Sequence, residues 1–125
     1  MHEPAAPIGL VMVVEDNSIV RSIVCQSLQS EGYRVESCAS GDEAVLRLAV
    51  SSDVPDLIVL DLVMRGLDGY AVLRFISEQP HLKQLKVIAM TAVPRPNIPP
   101  EIPIIKKPMD MHRLTNTVRE ILSAA

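Results

Sequence analysis

Five polar residues stand at the ends of apolar segments, and together their side chains could bind a divalent cation and a phosphoryl group. They are Glu15, Asp16, Asp61, Thr91 and Lys107. Magnesium prefers oxygen ligands such as carboxylates, and an ammonium or a hydroxyl can bind phosphoryl oxygens. A carboxylate can also attack phosphorus as a nucleophile and form an aspartyl phosphate. These residue types together predict phosphoryl-transfer chemistry.

An apolar run precedes each of these residues, so the elements that position them are predicted to be strands. The runs are 10–14 before Glu15 and Asp16, 57–60 before Asp61, 87–90 before Thr91, and one ending at Ile105 before Lys107. The carboxyl ends of parallel strands meet at one rim of an open α/β sheet, where ligands bind. Each residue alone is more often a turn, cap or surface residue, but their common register favours one shared site.

Helix-spaced apolar residues alternate with the strand segments and predict the helices between them. Such spacing runs over residues 19–28, and Ser40, Asp68 and Asp110 can cap three further helices. Another strand is predicted at Tyr33–Ser37. Strands that alternate with helices predict an α/β fold with a doubly wound parallel sheet.

The crossover between the fourth and fifth strands departs from this pattern. Prolines at 94, 96, 99, 100 and 103 interrupt it, and each interior proline costs about 3 kcal/mol in a helix. We therefore expect no regular helix there but an extended or polyproline-like segment. Pro103 lies within the predicted fifth strand and predicts an edge strand, because proline cannot donate to a ladder.

Length and composition bound the class of protein. The 125 residues suit one domain, with a net charge of −3 and 48% hydrophobic residues. We expect residues 1–7 to form a flexible leader and residues 8–125 to form the domain.

The net charge argues against direct nucleic-acid binding, and no apolar run reaches the length of about 18 residues that a membrane helix requires. The N-terminus lacks a signal-peptide pattern and the two cysteines lack metal-ligand spacing, which predicts a reduced, cytoplasmic protein.

Five short stretches spread over nearly the whole chain carry a family resemblance. They are Val13–Asn17, Leu57–Met64, Leu67–Gly69, Met90–Ala92 and Lys106–Pro108. In this order they resemble the receiver (response-regulator) domain of two-component signalling, as found in bacteria. The resemblance implies a flavodoxin-like sheet of five parallel strands in the order 2-1-3-4-5. Here the fourth helix of that pattern is expected to be missing or replaced by the proline-rich crossover.

The resemblance also implies a phosphoacceptor and a metal site. Asp61 would accept a phosphoryl group from a histidine kinase or histidine phosphotransfer protein, with Mg²⁺ bound. Glu15 and Asp16 would hold the metal together with Asp61 and the backbone carbonyl of Val63. Such a protein signals to a downstream protein partner and is not an enzyme in the usual sense, although it assists its own phosphorylation and dephosphorylation.

Thr91 and Lys107 take the remaining roles that the resemblance implies. Thr91 would be the switch hydroxyl, and Lys107 would contact the phosphoryl group. Lys106 is the competing lysine, but the family's lysine directly precedes the proline. The peptide bond before Pro108 is expected to be cis, which is mainly a proline phenomenon.

Three departures from the family pattern change what we expect downstream of the site. Arg65 stands where proline is frequent, which predicts a more mobile loop after Asp61. Ile104 stands where a switch aromatic is usual, and the fourth helix is missing. We hypothesise that the signal leaves through residues 93–103 and their neighbours; the alternative is that this segment is only a short connector.

Two other classes of function remain open at this point. A degenerate receiver would bind partners without being phosphorylated. A phosphatase-type enzyme would use Asp61 as nucleophile, but such enzymes carry a second carboxylate two residues later, where this chain has Val63. We expect no output domain within these 125 residues, and therefore either a stand-alone regulator or a receiver excised from a longer protein, as a monomer or a dimer.

Overall fold

Strands and helices alternate along the chain in the computed structural model, which describes residues 8–50 and 52–123. The strands are β1 Leu10–Val14, β2 Arg34–Cys38, β3 Leu57–Asp61, β4 Lys86–Thr91 and β5 Ile104–Lys106. The helices are α1 Ser18–Ser30, α2 Gly41–Val50, α3 Gly69–Glu78 and α4 Met111–Ser123, and Pro80–Leu82 form one 3₁₀ turn. The predicted leader, residues 1–7, lies outside the described residues.

The five strands form one parallel sheet in the order β2-β1-β3-β4-β5, which confirms the predicted topology. Val14 pairs with Leu60, and Asp61 pairs with Met90. This register aligns the carboxyl ends of β1, β3 and β4. The residues that follow or close these strands therefore meet at one rim, where open α/β sheets bind their ligands.

Helices cover both faces of the sheet, which explains why the inner strands are apolar throughout. Val11 and Val13 of β1 pack in a core with α1 and α4, whereas Met12 and Val14 pack in a second core with α2 and α3. Successive strand residues point to opposite faces, so a strand covered on both sides buries every residue. Full burial of one such side chain stabilises the fold by about 1.5–3 kcal/mol.

Side-chain caps fix where the helices begin. The Ser40 hydroxyl accepts from the backbone N–H of Glu43 at 3.1 Å, and Asp68 and Asp110 accept from the first turns of α3 and α4, as predicted. Asn17 caps α1 by accepting from two backbone N–H groups, each at 3.0 Å. Each cap satisfies N–H groups that have no partner within the helix. The Asn17 cap starts α1 directly after the acidic pair.

The predicted strand limits differ from the observed ones by about a residue. The second strand is Arg34–Cys38 rather than Tyr33–Ser37, and Tyr33 is buried just before it. Pro103 directly precedes β5 rather than lying within it, while its carbonyl accepts from the N–H of Ala89 at 2.9 Å. The strand β5 begins at Ile104, because Ile104 has the backbone N–H that Pro103 lacks. β5 is an edge strand, as predicted.

Residues 92–103 contain no helix, which confirms that the fourth helix of the family's pattern is absent. The segment is not extended, however, and this part of the prediction is wrong. The N–H of Ile102 donates to the carbonyl of Pro99 at 3.1 Å, and that of Ile98 donates to Pro96 at 3.0 Å. A polyproline helix has no such bonds. Pro100 follows Pro99 in the second position of a turn, where the fixed φ of proline is favourable.

The described helices were also compared with the length and hydropathy that a membrane span requires. None of them is long and apolar enough to cross a membrane.

Candidate functional site

Three carboxylates meet at the rim formed by the ends of β1 and β3. One oxygen from each of Glu15, Asp16 and Asp61 lies within 4.8 Å of the others. The side chains of Glu15 and Asp61 are 1% and 2% exposed, and that of Asp16 is 24% exposed. Clustered carboxylate oxygens of this kind suit a hard divalent cation. The structure therefore brings together the three acidic residues expected from the sequence.

Lys107 joins the two buried carboxylates of this cluster. Its Nζ donates to Oε1 of Glu15 at 2.7 Å and to Oδ2 of Asp61 at 2.8 Å. Lys106 is exposed, so of the two candidate lysines it is Lys107 whose ammonium reaches the acidic cluster. Buried carboxylates of like charge repel each other, and a shared hydrogen-bonded ammonium offsets that repulsion. The Lys107–Pro108 peptide bond is cis, as expected.

The pKa values at this ion pair are set by burial and by hydrogen bonds acting together. Burial lowers the pKa of Lys107, but hydrogen bonds from its ammonium to Asp61 and Glu15 outweigh burial and raise the pKa above its usual value. Burial raises the pKa of Glu15, and the bonds from Lys107 and from the backbone of Asn17 only partly oppose it. The ammonium therefore keeps its proton throughout the neutral range, and Glu15 accepts a proton more readily than an exposed glutamate.

The loop after β3 folds over the carboxylates through two backbone N–H groups. The N–H of Val63 donates to Oδ1 of Asp61 at 3.1 Å, and the N–H of Arg65 donates to Oδ2 of Asp16 at 3.2 Å. A proline at position 65 could not make the second bond, because it has no N–H. The contact ties the loop to Asp16, and the greater mobility expected from the sequence stays a prediction. Arg65 is also the main reason that the pKa of Asp16 is lowered, through this same N–H.

Arg21 is a residue of the site that the sequence did not reveal. Its Nη1 donates to the backbone carbonyl of Glu15 at 2.8 Å and lies 3.5 Å from that of Asp16. The N–H of Asn17 donates to Oε2 of Glu15 at 3.1 Å. The first turns of α1 thus hold both the backbone and one carboxylate of the acidic pair. An arginine within an amphipathic helix carries no sequence signal for such a role.

Thr91 closes β4 and is 1% exposed. Its Oγ1 accepts from the N–H of Val93 at 3.0 Å, and its carbonyl accepts from the N–H of Lys107 at 3.0 Å. Among the hydrogen bonds of the described residues, the Thr91 hydroxyl acts only as an acceptor, so its proton is available for a new acceptor. Thr91 therefore links the start of the crossover with the strand end that carries Lys107.

The backbone of Asp61 packs directly against the start of α3. A Cβ atom placed on Gly69 would lie 2.3 Å from the carbonyl oxygen of Asp61 and 2.6 Å from Cα of Leu62. The N–H of Gly69 donates to the carbonyl of Leu62 at 3.1 Å. Glycine is thus required at this position to let α3 approach the strand end.

Comparison with known proteins gives a consistent family. Residues 11–119 match the family described as response regulator receiver domain. The sensor kinase CckA of Brucella abortus is 35% identical over 117 residues, which cover 90% of this chain and 12% of that protein. The phosphate regulon transcriptional regulatory protein PhoB of Rhizobium meliloti is 33% identical over 82 residues, which cover 66% of this chain and 35% of that protein. The chain thus spans only about a third or less of these two relatives.

Solved receiver domains share the whole architecture. The signal receiver domain of a signal transduction histidine kinase from Syntrophus aciditrophicus has a TM-score of 0.83 and 31% identity, over 94% of this chain and 92% of that one. The receiver domain of the hybrid histidine kinase CckA has a TM-score of 0.79 and 27% identity, over 91% and 99% of the two chains. The similarity to both solved domains extends over more than nine tenths of this chain.

Replacing Gly69 by alanine tests the tight contact between α3 and the acceptor strand. An exposed helix position usually gains up to about 1 kcal/mol from this change. Here we expect a loss of about 1–3 kcal/mol in the free energy of unfolding, because the new methyl meets backbone atoms that cannot swing aside. Urea denaturation followed by circular dichroism measures the difference. An alanine variant as stable as the wild type, or more stable, would contradict the proposed contact.

Proposed function

Because this chain belongs to the response regulator receiver domain family, we propose that Asp61 accepts a phosphoryl group from a phosphohistidine. The donor would be a histidine kinase or a histidine phosphotransfer protein. The observation that carries the proposal is the buried carboxylate of Asp61, which lies beside two further carboxylates and accepts from the ammonium of Lys107 at 2.8 Å. The matched relatives include a sensor kinase and a transcriptional regulator, which supports a phosphorelay.

The transfer exchanges one bond to phosphorus for another. A carboxylate oxygen of Asp61 forms a bond to phosphorus as the P–N bond of the donor breaks, and the electron pair of that bond returns to the imidazole. No group is oxidised or reduced. The protein's part is positioning and charge neutralisation. Lys107, which donates to Asp61, would donate to a phosphoryl oxygen, and the Thr91 hydroxyl, which acts only as an acceptor among the described hydrogen bonds, would donate to another.

Mg²⁺ fits the donor set at this rim. Glu15, Asp16 and Asp61 would hold it with carboxylate oxygens, which already lie within 4.8 Å of one another, and the carbonyl of Val63 would add a backbone ligand. When bound, the ion neutralises charge on the phosphoryl oxygens and on the carboxylates. Burial keeps water away from Glu15 and Asp61, which strengthens their interaction with a cation.

The degenerate-receiver alternative is supported by the absent fourth helix and by Ile104, which is half-buried on β5 and pairs with Ala89. It explains the altered crossover but not the retained acidic cluster with its shared lysine. A phosphatase-type enzyme would require a second carboxylate at position 63, and the Val63 side chain is 60% exposed and apolar. We therefore place phosphoacceptor signalling first.

Phosphorylation by a small donor tests the proposal directly. Incubation with acetyl phosphate and Mg²⁺ should give one phosphoryl adduct by intact-protein mass spectrometry, and Asp61→Asn should abolish it because the amide is a poor nucleophile. Chelation of the metal should abolish it as well. The exposed Asp42, on the first turn of α2, offers a matched control, and Asp42→Asn should label like the wild type. A wild type without adduct in the presence of a competent donor would support the degenerate receiver instead.

Exposed apolar side chains next to the site suggest where the phosphohistidine donor docks. Ile19 and Ile23 lie one turn apart on α1 and are 71% and 47% exposed. Val63 and Val93, in the loops after β3 and β4, are 60% and 40% exposed. These residues belong to the elements that follow the rim and frame Asp61. We propose that a donor delivering a phosphoryl group to the buried Asp61 carboxylate contacts this part of the surface.

Serine substitutions on α1 separate docking from chemistry. We expect Ile19→Ser together with Ile23→Ser to slow transfer from a phosphorylated histidine phosphotransfer domain by about tenfold or more, since each isoleucine loses apolar burial at the interface. Labelling by acetyl phosphate should stay at the wild-type rate. Leu46→Ser on α2 is the control, because Leu46 is also a largely exposed apolar residue, at 65%. Equal transfer rates for all variants would place the docking surface elsewhere.

The signal would leave the site through the crossover, residues 92–103. Thr91 accepts from the N–H of Val93, so a hydroxyl that turns toward a phosphoryl oxygen changes the contact that anchors the crossover. At the other end, Glu101, Ile102 and Pro103 form part of the wall of a groove of about 870 Å³ beside the end of α3. A shift along this segment would alter that groove. The crossover thus spans from the acceptor site to a surface where a downstream partner could sense it.

Backbone amide resonances can follow this path without knowledge of the partner. Phosphorylation by acetyl phosphate and Mg²⁺ should shift the amide of Val93 and those of Asn97, Ile98, Glu101 and Ile102. In Thr91→Val, which removes the hydroxyl at nearly constant volume, Asp61 should still be labelled while the shifts beyond residue 93 are lost. Thr91→Ser keeps the hydroxyl and should restore them. Crossover resonances that respond equally in the valine variant would show that Thr91 does not drive this segment.

A further inference from the structure

Arg65 places a second cationic side chain against the acidic cluster. Its Nε lies 3.7 Å from Oδ2 of Asp16, the same oxygen that accepts from its backbone N–H at 3.2 Å. The ammonium of Lys107 already donates hydrogen bonds to the carboxylates of Glu15 and Asp61. Every carboxylate of the cluster therefore has a cationic partner. For Asp16 that partner is supplied by the loop after β3.

The two charges at this contact differ in their freedom to move. The side chain of Arg65 is 94% exposed, whereas that of Asp16 is 24% exposed. The backbone bond holds residue 65 close to Asp16, and the long side chain can swing into solvent without breaking that bond. The guanidinium is thus a tethered charge that can leave the carboxylate when another cation takes its place.

We propose that the Arg65 side chain competes with the divalent cation for Asp16 and so sets the cation affinity of the site. This inference rests on the proposed cation site and concerns how tightly that site binds. A tethered guanidinium neutralises part of the charge that attracts Mg²⁺, and the incoming ion must displace it from Oδ2. Arg65 acts through Asp16 and is a positioning residue rather than a catalytic one.

The expected size of the effect follows from the exposure of the pair. Exposed ion pairs contribute little, and their removal changes an equilibrium by roughly 1.5- to 5-fold. Because salt screens exposed charges over about 10 Å at 0.1 M, the effect should shrink as ionic strength rises. A charge reversal at position 65 should act more strongly than neutralisation, since it adds a fourth negative charge near the ion.

A substitution series measured by Mg²⁺ binding tests the inference without reference to phosphorylation. Isothermal titration of metal-free protein with Mg²⁺ should give the largest dissociation constant for the wild type, a smaller one for Arg65→Ala and the smallest for Arg65→Glu. The Arg65→Ala variant should bind Mg²⁺ more tightly than the wild type by roughly 1.5- to 5-fold. Arg65→Lys keeps the charge and should restore a value near that of the wild type. The advantage of Arg65→Ala should diminish in concentrated salt. As a second readout, the Nε–H resonance of Arg65 should move when Mg²⁺ is added to the wild type.

Arg119 provides the matched control. It also forms a surface ion pair, with Glu31 at 2.6 Å next to the end of α1, and Arg119→Ala changes the net charge of the protein by the same amount. Its Mg²⁺ affinity should equal that of the wild type. If Arg119→Ala tightened binding as much as Arg65→Ala, net charge rather than the contact with Asp16 would be responsible, and the inference would fail.

Two further outcomes separate this inference from the proposed function. If the wild type binds Mg²⁺ and the alanine and glutamate variants bind it with the same or lower affinity, Arg65 does not compete with the ion, while the cation site stands. If neither the wild type nor any variant binds Mg²⁺, the cation site itself is refuted, and the role of Arg65 with it.

Discussion

The structure of the site depends on one ammonium group that two buried carboxylates share. Glu15 and Asp61 lie almost completely out of solvent, and each accepts from Lys107. Without that group, two like charges would be buried side by side, an arrangement that costs several kcal/mol per ion. The three residues come from the ends of β1, β3 and β5, so the contact exists only when all three strands are in their observed register. The ion pair and the sheet topology therefore require each other.

The apolar cores make this register hard to change. Residues of β1 alternate between the core with α1 and α4 and the core with α2 and α3. A shift of one residue would exchange every side chain between the two faces. It would also move Asp61 away from the rim and disrupt the close approach of Gly69 to its carbonyl. Packing far from the rim thus fixes the positions of the polar atoms at the rim.

Much of this arrangement could be predicted from local sequence, because strand ends and helix caps leave local signals. Asp61 and Thr91 close apolar runs, and Ser40, Asp68 and Asp110 precede helical patterns at capping positions. The ion pairs and hydrogen bonds between the acidic cluster and its cationic partners join residues that are far apart in the sequence. Lys107 meets Glu15 across 92 residues, and Arg65 meets Asp16 across 49. Only the folded loops determine such pairs.

The conformation of the proline-rich crossover could likewise be predicted only in part from local sequence. Its prolines exclude a helix by removing N–H donors, and this consequence can be derived from composition alone. Whether the segment then extends or turns depends on the distance between the strand ends that it joins. That distance belongs to the sheet, and the sequence of the crossover does not contain it. The turn at Pro99–Ile102 is accordingly a tertiary feature.

The formal charges at the rim explain why a loosely held arginine matters at a site with a firmly held lysine. Three carboxylates face the two cations Lys107 and Arg65, which leaves one net negative charge to attract a divalent ion. In the proposed function, a Mg²⁺ ion that displaces the Arg65 guanidinium would bring the sum of the carboxylates, Lys107 and the ion to zero. Converting the Asp61 carboxylate into an acyl phosphate, which carries about −1.5 to −2, would then make the sum negative again. The proposed displacement of Arg65 would therefore leave the metal-bound site balanced by Lys107 alone. The Lys107 side chain is 26% exposed and donates to two carboxylates, whereas the Arg65 side chain is 94% exposed. We therefore expect the charge of the proposed cation site to be adjusted most easily through Arg65, at the surface.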